Sequence, residues 1–221
     1  MDIVIIGAGG HGRVVLEILR AAGVHRVVGF IDADPLLVGT RILGVDVLGP
    51  INLLSRLKQQ KKIKGAIVGV GDNRARQELG RVVIQASLEC VSAIHPKACV
   101  APSATVGAGT VVCAGAVVGT EARVSDLVIV NTGAVVDHEC EIGEAAHICP
   151  TAALAGRVKV GAGAFIGLGA KVIQCLTIGD HATVGAGAVV IRDVGPNVMV
   201  VGAPARVLSG SRNPKLSLAN N

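Results

Sequence analysis

Aromatic residues are almost missing from this chain of 221 residues: there is no Trp, no Tyr and only two Phe, Phe30 and Phe165. Single-stranded nucleic acid needs stacking platforms, so no nucleic-acid partner is expected. No apolar run approaches the length of a membrane span. The opening MDIVIIGAGGHG lacks the basic region and the longer apolar stretch of a signal peptide. The six cysteines (Cys90, Cys99, Cys113, Cys140, Cys149, Cys175) form no CxxC pair. No metal cluster is visible, so no metal is expected, and the thiols read as reduced ones in a cytoplasmic protein. The net charge of +5 fits either a solvated basic surface or anionic, phosphorylated ligands.

What the chain does have is a repeat. Every sixth residue from Ile94 to Val190 is Ile, Val or Leu, without a miss. The position four residues after each is small or apolar, as at Ala116, Ala134, Cys140 and Ala152. A period of six fits neither an α-helix nor a two-residue strand alternation. It fits a short strand with two inward side chains followed by a two-residue corner. In 134–137, Ala134 and Val136 would point in, Val135 and Asp137 out, and His138–Glu139 would turn the corner. Three such segments close a triangular coil, and stacked coils make a prism, a parallel β-helix. Apolar residues at outward positions, Val111, Val117, Val135 and Val189, suggest a face buried against neighbouring copies.

The first part differs. Ile3–Ile6 reads as a strand running into Gly7-Ala8-Gly9-Gly10-His11-Gly12, a match to G-x-G-x-x-G. A helical pattern (Val14, Val15, Ile18, Leu19) ends near Gly23, and a second strand, Val27–Ile31, leads to Asp32. This is the dinucleotide-binding order, in which glycines let a backbone approach a diphosphate and the helix N-terminus favours its charge. Two short strands within 38–48, a helix over 51–60, a lysine run (Lys58, Lys61, Lys62, Lys64), a strand over 66–70 and a helix over 74–84 follow. The expected organisation is an α/β Rossmann-like domain over 1–89 with about three strands, the β-helix over 90–208, and a polar, frayed tail over 209–221.

Two features interrupt the repeat: Asn131 to Glu139, and His147. Imidazole is the usual general base at neutral pH, and Asp137 and Glu139 flank His138 with carboxylates able to stabilise its imidazolium. His138 shares its corner with Gly156 and Gln174, whereas His147 lies outward on the opposite face of the prism. One subunit cannot unite the two histidines; neighbouring subunits in a closed assembly can.

The glycine-rich start, the NTGAVVDHECEIGEAAH stretch and the closing VGAPAR resemble the sialic acid O-acetyltransferase family, including the nucleotide-sugar N-acetyltransferases of bacterial glycan synthesis. The resemblance implies a left-handed β-helix and acetyl-CoA as co-substrate, while the three flat faces, the outward apolar residues and the separated histidines point to a homotrimer. It implies His138 as general base, Glu139 as its support, and Asn131 as a residue shaping the pocket. His147 would contact acetyl-CoA, with Leu168 and Ala186 lining its groove. Gly9, Gly10, His11 and Asp32 would hold the nucleotide of a UDP-, dTDP- or GDP-linked 4-amino-4,6-dideoxy sugar, a perosamine type among them. Related chains often carry a second acid directly after the first; here Ala33 stands there and Asp34 follows. Three other activities fit parts of the pattern: O-acetylation of sialic acid or another sugar, an NAD-dependent oxidoreductase built on the glycine motif, and a β-helix without catalysis.

Overall fold

The structure is a computed structural model, and it describes residues 1–60 and 62–208. The tail expected over 209–221, and Lys61 of the lysine run, lie outside the described residues. The first unit is a six-stranded sheet, not the three strands expected. In chain order it contains β1 (Asp2–Ile6), α1 (Gly10–Ala22), β2 (Arg26–Ile31), β3 (Arg41–Ile42), β4 (Val45–Gly49), α2 (Leu53–Gln59), β5 (Gly65–Val68), α3 (Asn73–Gln85) and β6 (Glu89–Cys90). The spatial order is β3-β4-β2-β1-β5-β6. All pairings are parallel except β3–β4. The miscount has a physical cause. The strand β6, only two residues long, is too short to show a periodic pattern, and the two short strands expected within 38–48 are β3–β4, a tight hairpin at the sheet edge turning at Leu43 and Gly44, both at positive φ.

From Ala93 the chain coils into three sheets, the faces of a prism, parallel throughout except where Arg206–Val207 turns back against Met199–Val201 at the end of the first. The first face stacks Ala93, Val111, Ile129, His147, Phe165 and Thr183 outward. The second stacks Cys99, Val117, Val135, Ala153, Lys171 and Val189. The third stacks Thr105, Arg123, Glu141, Lys159 and Thr177. Inward residues form one continuous core: Ala134, Val136, Cys140, Ile148, Ala152 and Ile166 are 0% exposed. Cys140 fills its slot as a small apolar side chain, as expected, and the six cysteines are free.

The corners have a rule of their own. From Gly109 to Gly187, every sixth residue is in the left-handed region, with φ from 54° to 69°. Glycine tolerates this freely, but Glu121, Leu127, Glu139, Ala145, Thr151, Arg157, Cys175 and His181 take it too. For an L-residue that costs about 1–2 kcal/mol each, a strain that the packed core and unbroken coil-to-coil hydrogen bonds offset. After Val190 the inward step shortens: Val194 bridges Ile178 and Val200 pairs with Val184, so a final coil closes beyond the regular repeat.

The first unit sits on the first face. Val15, Leu16 and Ile18 of α1 share a core with Ala93, Val111, Cys113 and Ile129. This corrects one expectation: Val111, 0% exposed, is covered by the chain's own first unit and not by a neighbouring copy. Val117, Val135 and Val189, on the second face, remain half-buried.

Arg76 of α3 locks this docking. It is 0% exposed. Its Nε donates to Leu127 O at 2.7 Å and its Nη2 to Ala145 O at 2.7 Å, both prism carbonyls. Nη1 donates to Val70 O and Gly71 O, and Nη2 also to Asn73 Oδ1. Each of the guanidinium's five N–H donors thus has an acceptor, which is what makes a buried cation tolerable. Burial pushes its pKa down to about 10, opposed by Asp72, so it stays charged at neutral pH. Asn73 adds bonds from Nδ2 to the Gly163 and Ala164 carbonyls.

Candidate active site

Two clusters of the expected site residues emerge, on opposite sides of the prism. The first is a crevice at the carboxyl ends of β1 and β5, where the sheet order reverses and α/β sheets place ligands. Gly7 (φ 101°) turns the chain. Gly12 is held so tightly that a Cβ would lie 1.9 Å from Gly7 O. Gly9, Gly10 and Gly71 face open space. No side chain caps α1, leaving its first-turn N–H groups for an anion. Asp32 stands at the end of β2 beside the glycine turn. Its Oδ2 accepts from Ala8 N at 2.7 Å and its Oδ1 from Asp34 N at 2.9 Å. Asp32 thus braces the glycine turn.

His147 faces the same crevice. It is 8% exposed, its Nε2 lies 3.1 Å from Asn131 Nδ2, and its ring meets Phe165 edge-on at 5.3 Å. The Asn131 amide donates here, so Nε2 accepts and Nδ1 carries the hydrogen. His147 Nδ1 and His11 Nε2 are buried without hydrogen-bond partners. Buried polar atoms are normally paired, so both are open to a group that enters the crevice. Burial first, then Arg76 and His11, push His147 down to about 3. The Gly71 backbone opposes this, though it closes no hydrogen bond to Nδ1. His11 is pushed down to about 4 by burial and by Arg76. Both rings are therefore neutral at pH 7.

A stability prediction follows. Unfolding lets both histidines recover a pKa near 6.5. A depressed folded pKa means that stability is intact above pH 6.5 and falls as pH drops from 6.5 towards 4 and 3. The slope is about 1.4 kcal/mol per pH unit for each histidine. Urea midpoints measured from pH 7 to 5 should fall steadily, and His147→Gln should flatten the fall. An unchanged slope in that variant would overturn the assignment.

The second cluster is the corner joining the second and third faces. His138 Nδ1 lies 3.0 Å from Glu139 Oε2, so Nδ1–H donates to the carboxylate and Nε2 is left as the basic nitrogen. His138 N donates to Asp137 Oδ1 at 2.7 Å. The ring rests on Gly156 of the next coil, where a Cβ would come 2.3 Å from Nε2. Arg157 Nε also donates to Glu139 Oε2, at 2.9 Å. Bonds from His138 and then Arg157 hold the Glu139 carboxyl below the usual carboxylate range. Gly156 beneath His138 is the corner partner expected from the repeat. Arg76 and Arg157 were not expected; Arg157 was within reach, since it follows Glu139 by one coil of 18.

Leu168 and Ala186 lie exposed on the remaining corner beside the first face, stacked through Gly187 N to Leu168 O and Gly169 N to Pro150 O. Gly187 meets nothing within 4 Å, so this corner is a bare ridge. Asn131 stands on the same corner and reaches His147. Among the described residues no group of three or more His, Cys, Asp or Glu could hold a metal, and no helix is long and apolar enough to cross a membrane.

Comparison with known proteins adds the following. A family model described as the PglD N-terminal domain matches residues 2–83. UDP-N-acetylbacillosamine N-acetyltransferase of Bacillus subtilis (strain 168) is 36% identical over 114 residues, 51% of this chain. That match spans about half (51%) of the relative's length. PerB from Caulobacter crescentus, solved with CoA and GDP-perosamine, is 46% identical with a TM-score of 0.90, over 94% of this chain and 97% of its own. The same protein has been solved with one histidine replaced by Asn or Ala. The acetyltransferase domain of PglB from Neisseria gonorrhoeae FA1090, solved with acetyl coenzyme A, is 38% identical with a TM-score of 0.87, over 94% and 98% of the two chains. These matches carry the nucleotide-sugar branch of the expected resemblance, and with it the left-handed form of the prism.

Proposed function

Because the chain belongs to the family of nucleotide-sugar N-acetyltransferases that carry the PglD N-terminal domain, we propose that it transfers acetyl from acetyl-CoA to the amino group of a nucleotide-linked 4-amino-4,6-dideoxy sugar. The observation that carries this is 46% identity, across nearly the whole of both chains, to a protein solved with CoA and GDP-perosamine. A GDP-linked perosamine type is therefore the first substrate to try, with UDP- and dTDP-linked sugars beside it. Acetylation of an alcohol is the less favoured reading, since the relatives' names state N-acetylation.

The chemistry divides among the elements. Gly9, Gly10 and the N-terminus of α1 take the diphosphate, with His11 beside them and Asp32 bracing the turn. The ridge at Leu168 and Ala186 takes the acetyl-CoA, and Asn131 and His147 close the space between ridge and crevice. The neutral amine attacks the thioester carbonyl, and His138 Nε2 takes the proton that the nitrogen sheds. A tetrahedral intermediate forms, with a backbone N–H of the prism as donor to its oxyanion. When the C–S bond breaks, the CoA sulfur leaves with the electron pair and the imidazolium returns the proton to it. No acyl-enzyme is required.

The working unit is a cytoplasmic homotrimer with sites between subunits. His138 stands on the corner opposite the face that bears His147, so one chain does not bring them together. The half-buried Val117, Val135, Ala153 and Val189 give the second face an apolar surface for that contact. The deciding assay follows thiol release from acetyl-CoA across a panel of nucleotide-linked amino sugars. Release with a 4-amino sugar and none with its 4-hydroxy counterpart is expected; the reverse preference would overturn the assignment.

A further inference from the structure

The catalytic corner contains one more side chain than the mechanism above uses. Arg157 Nε and His138 Nδ1 approach the same oxygen, Glu139 Oε2, at 2.9 and 3.0 Å. Arg157 N also donates to the His138 carbonyl at 2.9 Å. Glu139 and Arg157 both occupy left-handed corner positions, φ 55° and 61°, so they stack one coil apart with side chains in register.

The ion pair is more than a third exposed on both sides, and such pairs add little to stability. Its position matters more. From this geometry we infer that Arg157 is a positioning residue for the reaction: it pins the Glu139 carboxylate against His138 Nδ1–H, and so holds the ring in place with Nε2 as its free nitrogen. The inference rests on His138 being the base, as proposed above.

The other charged and titratable groups around the corner are accounted for. Asp137 accepts the His138 backbone N–H. Glu141 pairs with Lys159 at 3.3 Å on the third face. Glu121 and Arg123 line the same cleft from the coil above. From the coil below, the Cys175 thiol reaches Arg157, not the imidazole. Arg157 is thus the cation that shares an oxygen with His138.

Without Arg157, Glu139 can swing off the imidazole and the ring loses its fixed orientation. The test is kcat and KM for the intact enzyme, Arg157→Met, Arg157→Lys and His138→Ala, with melting temperatures alongside. In Arg157→Met kcat should fall several-fold, with both KM values and the melting temperature nearly unchanged. Arg157→Lys can still pair with Glu139 and should recover most of the lost kcat. A normal kcat in Arg157→Met, or a loss that Arg157→Lys does not recover, would overturn the inference. Near-normal turnover in His138→Ala would instead overturn the base assignment, and the role of Arg157 with it.

Discussion

Replacing His138 with Ala should cut turnover by roughly two to four orders of magnitude, the usual worth of a general base, while acetyl-CoA still binds. The expectation comes from the corner itself. Nδ1–H is engaged by Glu139, which leaves Nε2 as the basic nitrogen on an exposed edge of the prism. The ridge proposed to take acetyl-CoA, at Leu168 and Ala186, is a different corner, so acetyl-CoA affinity should be untouched. Turnover is measured by thiol release under saturating substrates and acetyl-CoA binding by calorimetry. Near-normal turnover, or loss of acetyl-CoA binding in step with turnover, would refute the division of roles.

The second large effect is expected at a residue with no side chain. Gly156 lies beneath the His138 ring, and an added methyl would come 2.3 Å from Nε2. Its φ lies outside the left-handed region that glycine favours, so the backbone accepts alanine. The ring, half-exposed on a corner, is the part that can give way. Gly156→Ala should therefore leave the melting temperature nearly unchanged and lower kcat by about a hundredfold, because an ångström of misplacement at a reacting group costs that much. Gly187→Ala serves as the contrast. It meets nothing within 4 Å but sits at φ 66°, so it should lose about 1 kcal/mol of stability. If Gly156→Ala turned over at the normal rate, the ring's seat would be elsewhere.

The prism was legible because its core is a single column of slots: each sixth residue must be aliphatic, so the chain from Ile94 to Val190 displays its register openly. The corner position of His138, with Gly156 beneath it, followed from the same register and holds in the structure. The glycine turn was legible because close backbone approach demands glycine at Gly7 and Gly12. What could not be read was the docking of one unit on the other. Val111 looked like a surface for another subunit because an outward aliphatic residue does not show which surface will cover it. Arg76 could not be singled out within the helix expected over 74–84; its partners are prism carbonyls, and a carbonyl leaves no mark in sequence. The final coil was hidden because its inward step shortens at Val194.

The corner register also limits how this enzyme can change. A prism counted in sixes has a reading frame. Losing one residue anywhere between the docked face and the last coil would turn every later aliphatic side chain out of the core. Losing six would keep the core but carry each later group onto the next face. Only a whole coil, the 18 residues that separate Glu139 from Arg157, can be added or removed with both frame and faces preserved. New substrate preferences in this scaffold must then be written by substitution at corner tips, or in the loops of the first unit, where no such frame applies.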